Sequence, residues 1–312
     1  MKILLIRFGA IGDLILVEPV LRILHHSGHE VHLLTKRAHA SIFENHDSVY
    51  AVYTWESAGI IGELRQQGFD AVVDAHNNIR SHSVCLALWP ATVYRMPKEI
   101  WKKLPLPSRF KQVGEVKDRL MQTVLSLISE PPIDLGPWLG IEGLNKSYAY
   151  RVWVLGGTYA TKQMPNELAV SLLNQLGGHW VLLGSAIDKE KAGEIMRGLN
   201  SSVKAEICCS QGLRESASIL AGAVQVISGD TGMAHWAAAL HIPLHVIWGN
   251  TSPQYGLAPG QWGGSVVQHH QVSDLSCRPC SKFGYSHCPK GHFHCMRNQN
   301  LDSIAMAIKN LD

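Results

Sequence analysis

No stretch of the sequence is long and apolar enough to cross a lipid bilayer. Spanning requires roughly 20 consecutive apolar residues, and Arg7 and Asp13 interrupt the apolar N-terminus while no other run approaches that length. The segment Met1 to Ile6 is also too short for the apolar core of a signal peptide, since Arg7 follows at once. We therefore expect a cytoplasmic protein whose seven cysteines stay reduced.

The sequence has no strong excess of either charge. Lys and Arg total 28 against 25 Asp and Glu, which gives a net charge of +3, or more if some of the 17 histidines are protonated. This mildly basic balance suits an anionic substrate and is too weak to indicate a nucleic-acid-binding protein, and no nucleic-acid fold motif occurs. A length of 312 residues with 46% hydrophobic residues supplies core for two domains of about 150 residues each.

The sequence also lacks the glycine pattern of a dinucleotide site. Residues 2–8, KILLIRF, predict a buried strand, and residues 9–13 predict a glycine turn into a helix from about 14 to 25. A dinucleotide-binding domain prefers G-x-G-x-x-G and an acidic residue after the second strand, whereas the second strand here, 30–34, ends in Thr35-Lys36-Arg37. NAD is therefore disfavoured, and an NADP-dependent oxidoreductase stays open as an alternative.

Residues 226–253, VISGDTGMAHWAAALHIPLHVIWGNTSP, carry the densest pattern in the chain. Two apolar runs, Val224 to Ser228 and Leu244 to Trp248, predict buried parallel strands that flank a small-residue helix. The two loops that follow these strands then lie at one edge of a parallel sheet, where open α/β sheets bind ligands.

The turn that opens this helix predicts an anion site. A glycine-flanked turn leaves backbone N–H groups unpaired, and the helix dipole adds partial positive charge, so a phosphate is the natural occupant. Thr231 and His235 are four residues apart and can donate from one face. Asp230 occupies the predicted N-cap position, where it either caps Met233 or meets a sugar or phosphate oxygen. The turn residues in question are Gly229, Asp230, Thr231 and Gly232.

A second turn of the same kind follows a strand predicted at 151–155. Residues 156–165, GGTYATKQMP, lead into a helix predicted from 166 to 175, and the combination predicts another anion site. A further strand at 180–183 leads to Gly184-Ser185-Ala186-Ile187-Asp188-Lys189-Glu190.

Two long motifs resemble glycosyltransferase family 9, the heptosyltransferases of lipopolysaccharide core synthesis. One is D-T-G-x-x-H-x-A-A-A-L-x-x-P followed by an apolar strand and G-x-T-x-P, and the other is the N-terminal I-R-F-G-A-I-G-D-L-I-L-x-x-P-V-L-R. The resemblance implies an α/β protein of GT-B fold, with two Rossmann-like domains whose parallel sheets face each other across a cleft. We expect an acceptor-binding domain at 1–140 and a nucleotide-sugar-binding domain at 141–312, joined by a Gly- and Pro-rich linker, with the last helix a candidate to cross back to the first domain.

The resemblance also assigns roles to individual residues. The family's N-terminal motif places a general base at Asp13, with Gly12 on the acceptor side; without the resemblance, Asp13 is equally a carboxylate favoured by a helix start. Lys162 matches the lysine that neutralises the donor diphosphate. The remaining donor candidates are the hydroxyls of Thr158 and Thr161, and Asp188 or Glu190 for the ribose or base.

The acceptor side is predicted at Arg80, by the resemblance, and at a basic segment that includes Lys102 and Lys103. Residues 95–119 hold eight basic and three acidic side chains, a balance of 8 − 3 = +5, with aromatic and leucine residues interleaved. This segment is either a solvated surface or a docking face for an anionic lipid A–Kdo type acceptor at the inner face of the inner membrane.

Four cysteines near the C-terminus have spacings that suit a tetrahedral zinc site. They are Cys277, Cys280, Cys288 and Cys295. A structural zinc is therefore a candidate cofactor, while the transfer reaction that the resemblance implies requires none.

The sequence thus predicts an inverting glycosyltransferase that moves heptose from an ADP-heptose-type donor to a hydroxyl of a lipopolysaccharide inner-core acceptor. Two alternatives stay open: the NADP-dependent oxidoreductase, and a non-catalytic carbohydrate- or lipid-binding relative with the same fold.

Overall fold

The computed structural model describes residues 1–97, 114–129, 135, 138, 140, 141, 143 and 148–311. The described residues up to Gly140 form one compact unit, and those from Ile141 onward form a second. Lys102, Lys103, most of the basic segment and most of the predicted linker lie outside the described residues. Within the described ranges, no helix is long and apolar enough to span a membrane.

The first unit is a five-stranded parallel sheet with helices between the strands. Its strand order is β3-β2-β1-β4-β5, the Rossmann order without its sixth strand. The strands are β1 (Lys2–Ile6), β2 (Glu30–Thr35), β3 (Ala51–Thr54), β4 (Ala71–Asp74) and β5 (Thr92–Arg95). The described helices are α1 (Ile11–His26), α2 (Arg37–Ala40), α3 (Ile60–Gln66), α4 (Ile79–Ala87) and α5 (Val116–Val124).

The second unit is a six-stranded parallel sheet of order β11-β10-β9-β6-β7-β8. Counted from β6, this is the same Rossmann order with a sixth strand. The strands are β6 (Arg151–Val154), β7 (Gly178–Leu183), β8 (Val203–Cys208), β9 (Gln225–Gly229), β10 (Leu244–Trp248) and β11 (Val267–Gln271). The helices are α6 (Asn166–Leu176), α7 (Lys189–Gly198), α8 (Leu213–Ala221), α9 (Gly232–Ala239), α10 (His294–Arg297) and α11 (Leu301–Lys309).

The central strands form because their residues are apolar on both faces. Leu4 and Ile6 of β1 and Val72 of β4 are fully buried in one core cluster, as expected for parallel strands covered by helices on both sides. In the second unit, Trp180 and Leu182 of β7 are buried in a second cluster.

The last helix packs on a helix of the second unit. α11 contacts α6, and its Ile304 and Ile308 are buried in the core cluster that also contains Leu172 of α6. A hydrogen bond of 2.8 Å from Gln175 Nε2 to Asp302 Oδ1 joins the same two helices. The apolar face of α11 is therefore buried in the core of the second unit.

Each sheet has one central strand pair at which the chain order reverses. In the first unit this pair is β1 and β4, with Ile6 opposite Asp74; in the second it is β6 and β9, with Trp153 opposite Ile227. The loops that leave the carboxyl ends of such a pair turn to opposite sides of the sheet and open a crevice between them, which is where doubly wound sheets bind ligands.

The core of the second unit can be tested at Leu182. Leu182 is 0% exposed, and we expect Leu182→Ala to destabilise the protein by about 2–5 kcal/mol, because the substitution loses buried area and leaves a cavity. Ile187→Ala is the matched control, since Ile187 lies five positions away and is 90% exposed. Thermal and urea unfolding followed by circular dichroism measure both; equal losses in the two variants would contradict this description of the core.

Candidate functional site

The first unit brings Arg7 and Asp13 together at the carboxyl end of β1. Asp13 lies in the first turn of α1, and its Oδ2 accepts the backbone N–H of Ala10 at 3.1 Å. The same oxygen is 2.5 Å from Nη2 of Arg7. Nη1 of Arg7 donates to the carbonyl oxygen of Ala75, the residue that follows β4. Arg7 therefore ties the ends of the two central strands to one carboxylate.

The geometry leaves the second oxygen of Asp13 available. Both contacts of the carboxylate go to Oδ2, and the Asp13 side chain is 25% exposed. Oδ1 has no hydrogen-bond partner among the described residues. A carboxylate fixed through one oxygen and open at the other can accept a proton from a bound hydroxyl.

Gly9 makes this turn sterically possible. Its φ is +129°, in the region that favours glycine, and a Cβ there would lie 2.9 Å from Nε2 of His39. The glycine thus lets the chain pass close to α2 before Asp13.

Arg80 lies over two aromatic rings at the same edge of the sheet. Its guanidinium carbon is 5.6 Å from the ring centroid of Phe8 and 5.7 Å from that of Trp55, within cation–π range. The two rings are themselves 5.5 Å apart. Arg80 is exposed, so its guanidinium is accessible while the two rings restrict its position.

Asp74 braces the loop that carries His76 and Arg80. Its side chain is 0% exposed and accepts the backbone N–H groups of His76 at 3.2 Å and Asn77 at 2.7 Å. Nε of Arg95 donates to the other oxygen at 3.1 Å. The buried carboxylate thereby neutralises the cation of Arg95 and fixes the start of α4.

His76 is held neutral beside this cluster. Burial lowers the pKa of His76 to about 4, and the positive charges of Arg7 and Arg80 act in the same direction, against Asp13 and Asp74. Its ring meets the Phe8 ring edge-on, with centroids 5.1 Å apart. At neutral pH this imidazole offers one donor and one acceptor and adds no charge.

In the second unit, the two glycine turns meet at the carboxyl ends of β6 and β9. Nζ of Lys162 lies 2.7 Å from Oδ2 of Asp230, and both side chains are about six-sevenths buried, with 15% and 16% exposed. A Cβ on Gly229 would overlap the carbonyl oxygen of Lys162, so only glycine allows this approach of the two turns.

The N-cap assignment of Asp230 is wrong. The N-cap of α9 is Thr231, whose Oγ1 accepts the N–H of Ala234 at 3.3 Å and lies 3.0 Å from the Ser228 hydroxyl. With the cap supplied by Thr231, the carboxylate of Asp230 is left to pair with Lys162. Gly232 then begins the helix, and His235 is buried one turn further on.

The remaining donor candidates occupy different environments. Thr158 is exposed on the loop before Lys162. Thr161 is buried, and its hydroxyl accepts the N–H of Tyr285 at 2.8 Å and donates to the Tyr285 carbonyl at 3.1 Å. Thr161 therefore anchors the C-terminal loop, and its contact with a donor stays a prediction.

Asp188 and Glu190 differ in exposure and in hydrogen bonding. Asp188 is buried, and its Oδ2 accepts the N–H and the hydroxyl of Ser185 at 2.8 and 2.7 Å. Glu190 is exposed in the first turn of α7. Asp188 thus stabilises the turn after β7, while the carboxylate of Glu190 is accessible to a ligand.

The four cysteines line one cavity of about 660 Å³ together with His292 and Asn250. Sγ of Cys277 is 3.9 Å from Nε2 of His292. Across the described part of the chain, however, no group of three or more His, Cys, Asp or Glu side chains is arranged to hold a metal ion. The donor set has the chemistry of a zinc site without its geometry, and the predicted site stays a prediction.

Sequence reasoning missed the roles of several residues at these edges. Arg7 lies within the N-terminal motif but was not singled out, and His76 follows β4 by two residues; their position after the two central strands is a signal once the strand order is known. Arg278 is a different case: it donates to the carbonyls of Gly249 at 2.7 Å and Thr251 at 2.9 Å, and only the tertiary structure reveals that contact.

Comparison with known proteins matches residues 143–286 to the model of glycosyltransferase family 9 (heptosyltransferase). The chain is 28% identical to lipopolysaccharide heptosyltransferase 1 of Pseudomonas aeruginosa over 70% of this chain and 64% of that protein. It is 32% identical to lipopolysaccharide heptosyltransferase 2 of Salmonella typhimurium over 49% of this chain and 42% of that protein. The chain thus spans less than two thirds of the length of these two relatives.

Solved structures share the fold over the whole chain. The structure of E. coli ADP-heptose lps heptosyltransferase II has a TM-score of 0.75 at 16% identity, covering 100% of this chain and 98% of that one. E. coli heptosyltransferase WaaC with ADP has a TM-score of 0.70 at 21% identity, covering 100% of both chains. These structures confirm the predicted GT-B fold class. The family match and the relatives confirm the predicted resemblance to glycosyltransferase family 9.

Proposed function

We propose that this protein is an inverting glycosyltransferase that moves heptose from an ADP-heptose-type donor to a hydroxyl of a lipopolysaccharide inner-core acceptor. The observation that carries the proposal is the Asp13 carboxylate, which is fixed through Oδ2 and open at Oδ1. The names of the relatives, lipopolysaccharide heptosyltransferases 1 and 2, support the choice of sugar and acceptor. The comparisons favour this function over an NADP-dependent oxidoreductase.

The first unit would activate the acceptor. The acceptor hydroxyl oxygen attacks the anomeric carbon of the donor, its proton passes to Oδ1 of Asp13, and the bond between the anomeric carbon and the phosphate oxygen breaks, with the electron pair leaving on ADP. Arg7 keeps Asp13 oriented during this step, because its guanidinium is anchored on the Ala75 carbonyl. Attack opposite the leaving group inverts the configuration at the anomeric carbon.

The second unit would hold the donor diphosphate. Lys162 offers an ammonium whose position is fixed by Asp230 at 2.7 Å, and the start of α9 adds the N–H groups and dipole of a helix N-terminus. Stabilising the charge that builds on the leaving diphosphate is the electrostatic contribution that usually carries most of a rate enhancement. Gly229 and Gly232 give the phosphates close access, and Thr158, Thr161 and His235 are the further donor candidates.

The nucleoside would be recognised after β7. Glu190 is exposed and Asp188 is tied to Ser185, so we favour Glu190 for a direct hydrogen bond to the ribose and Asp188 for shaping the turn.

The acceptor would lie against the first unit, where Arg80 presents a cation oriented by two rings to the carboxylate or phosphate groups of a lipid A–Kdo type molecule. Gly12 lies beside Asp13, and Lys102 and Lys103 extend the basic surface by sequence. The exposed Trp89, at 82%, and Leu86 suit a peripheral contact with the inner face of the inner membrane, since amphipathic aromatics favour that interface. The protein would act from the cytoplasm.

Asp13→Asn tests the catalytic assignment. We expect kcat for transfer from ADP-heptose to a deacylated lipid A–Kdo acceptor to fall by about 10²- to 10⁴-fold, because the amide cannot accept the proton. The Kd for ADP, by calorimetry, should stay unchanged, and NADPH should not bind. Asp47→Asn, on an exposed loop of the same unit, is the control. Unaltered turnover would refute Asp13 as base, and absence of any turnover in the unmodified protein would favour a non-catalytic binding protein.

Lys162→Met tests the diphosphate assignment in the second unit. The variant removes the cation and leaves Asp230 unpaired, so both the affinity for ADP and kcat should fall, each by about 10-fold or more. Lys290→Met is the control, because Lys290 is an exposed lysine on the C-terminal loop. Equal ADP affinity in Lys162→Met and the unmodified protein would exclude Lys162 from the donor site.

The cysteine site is proposed as a structural zinc site outside the reaction. It requires the four side chains to turn toward one point within their cavity. We expect about one zinc per chain by elemental analysis and a lower Tm after chelation, since structural zinc binding contributes folding free energy. Cys277→Ser should lose the metal, while Cys208→Ser, outside the cavity, should keep it. Purified protein that is free of metal and insensitive to chelator would reject the site.

A further inference from the structure

A half-buried lysine lies next to the proposed diphosphate site. Lys191 belongs to the first turn of α7, and its Nζ donates to the carbonyl oxygen of Leu155 at 3.2 Å and to Oε1 of Gln163 at 2.9 Å. These contacts tie the helix to the end of β6 and to the loop that follows it. No family motif quoted above includes this residue.

Gln163 connects Lys191 to Gly157, at the other end of the loop that follows β6. Its Nε2 donates to the carbonyl oxygen of Gly157 at 2.9 Å. The ammonium of Lys191 and the amide of Gln163 therefore close the segment 157–163 into a loop of fixed shape. Lys162, the partner of Asp230, is the residue immediately before Gln163.

The side chain of Lys191 lies close to the proposed diphosphate site. A cavity of about 10 Å³, lined by Lys191, Lys162 and Gly229 among others, has room for no more than about one water molecule. Within the described ranges Lys191 forms no ion pair, because its hydrogen bonds go to neutral acceptors. The carboxylates of Asp188 and Glu194 act on it only at longer range.

This burial also brings the titration of Lys191 into an accessible range. Burial lowers the pKa of Lys191 to about 8, against the opposing effect of Asp188 and Glu194. A bound diphosphate would add negative charge on the side of Lys162 and Gly229, and would favour the protonated amine.

We propose that Lys191 is a positioning residue for the donor, which shapes the Gly157–Gln163 loop through Gln163 and makes nucleotide binding depend on its own protonation. The inference rests on the proposed function, because it requires the second unit to bind a nucleoside diphosphate.

The expected pH dependence follows from linkage between proton binding and ligand binding. A bound diphosphate would raise the pKa of Lys191 above its value of about 8 in the free protein. The extra affinity is therefore fully present below pH 8 and is lost as the pH rises through the pKa of the complex. The phosphates of ADP are already ionised in this range, so the ligand itself does not produce the loss.

Calorimetric titration with ADP between pH 7.5 and 9.5 tests the proposal. For the unmodified protein we expect the Kd to rise by several-fold, up to about tenfold, since one pKa unit corresponds to a factor of ten. Lys191→Met should bind ADP about tenfold more weakly at pH 7.5 and show little further change with pH. Lys191→Arg, which stays charged throughout, should show a flat profile as well.

Two further variants separate this role from a loss of folding or of a surface charge. Lys189→Met removes an exposed charge from the same turn of α7 and should keep both the affinity and the pH dependence. Gln163→Leu breaks the link to Gly157 but keeps the amine, so it should weaken ADP binding and retain the pH dependence. Gln163→Leu also keeps the proposal testable if Lys191→Met does not fold.

The outcomes distinguish the inference from the proposed function. A pH dependence in Lys191→Met equal to that of the unmodified protein would overturn the role of Lys191 while leaving ADP binding intact. Unchanged ADP affinity in Gln163→Leu would overturn the link through the loop. Failure of the unmodified protein to bind ADP at any pH would overturn the proposed function itself.

Discussion

The pairing of β1 with β4, and of β6 with β9, is the constraint on which both candidate sites depend. In each sheet these parallel neighbours are largely buried, and the loops that leave their carboxyl ends turn to opposite faces. Polar and charged groups that are far apart in sequence therefore meet at one edge. Arg7 contacts both Asp13 and the Ala75 carbonyl for this reason, and Lys162 reaches Asp230 for the same reason.

Each unit fixes its key charge with an opposite charge. In the first unit the cation of Arg7 pairs with the carboxylate of Asp13, the proposed base; in the second the carboxylate of Asp230 pairs with the ammonium of Lys162, the proposed diphosphate ligand. Such pairing offsets part of the cost of removing each charge from water. It also holds the group in place before a ligand arrives, so that little rearrangement is needed on binding.

Glycine has a specific use at these pairs. Gly229 lets the turn after β9 touch the Lys162 carbonyl, where any side chain would collide. Gly9 adopts a backbone conformation that other residues avoid, next to the His39 ring. Asp74 in the first unit and Lys191 in the second are charged groups near the carboxyl ends of the strands. Asp74 accepts hydrogen bonds from two backbone N–H groups, and Lys191 donates to a backbone carbonyl and a side-chain amide. These inner polar groups help determine the shape of the loops that carry the proposed site residues.

The sequence by itself determined most of the central strands, because apolar runs bounded by glycine turns are a strong local signal, and its family resemblance predicted the fold class. Motifs whose residues are adjacent in the chain also gave Asp13, Lys162 and the turn at Gly229 as candidates. The sequence did not determine that Thr231 rather than Asp230 caps α9. The choice of cap depends on the backbone angles at a single residue and on the ion pair between Asp230 and Lys162, which lies on another loop. Only the tertiary structure decided that Arg7 reaches the Ala75 carbonyl, that Arg80 lies on Phe8 and Trp55, and that Lys191 contacts the loop after β6. Each of these contacts joins segments separated by tens of residues, and their meeting follows from strand order, which local patterns do not encode.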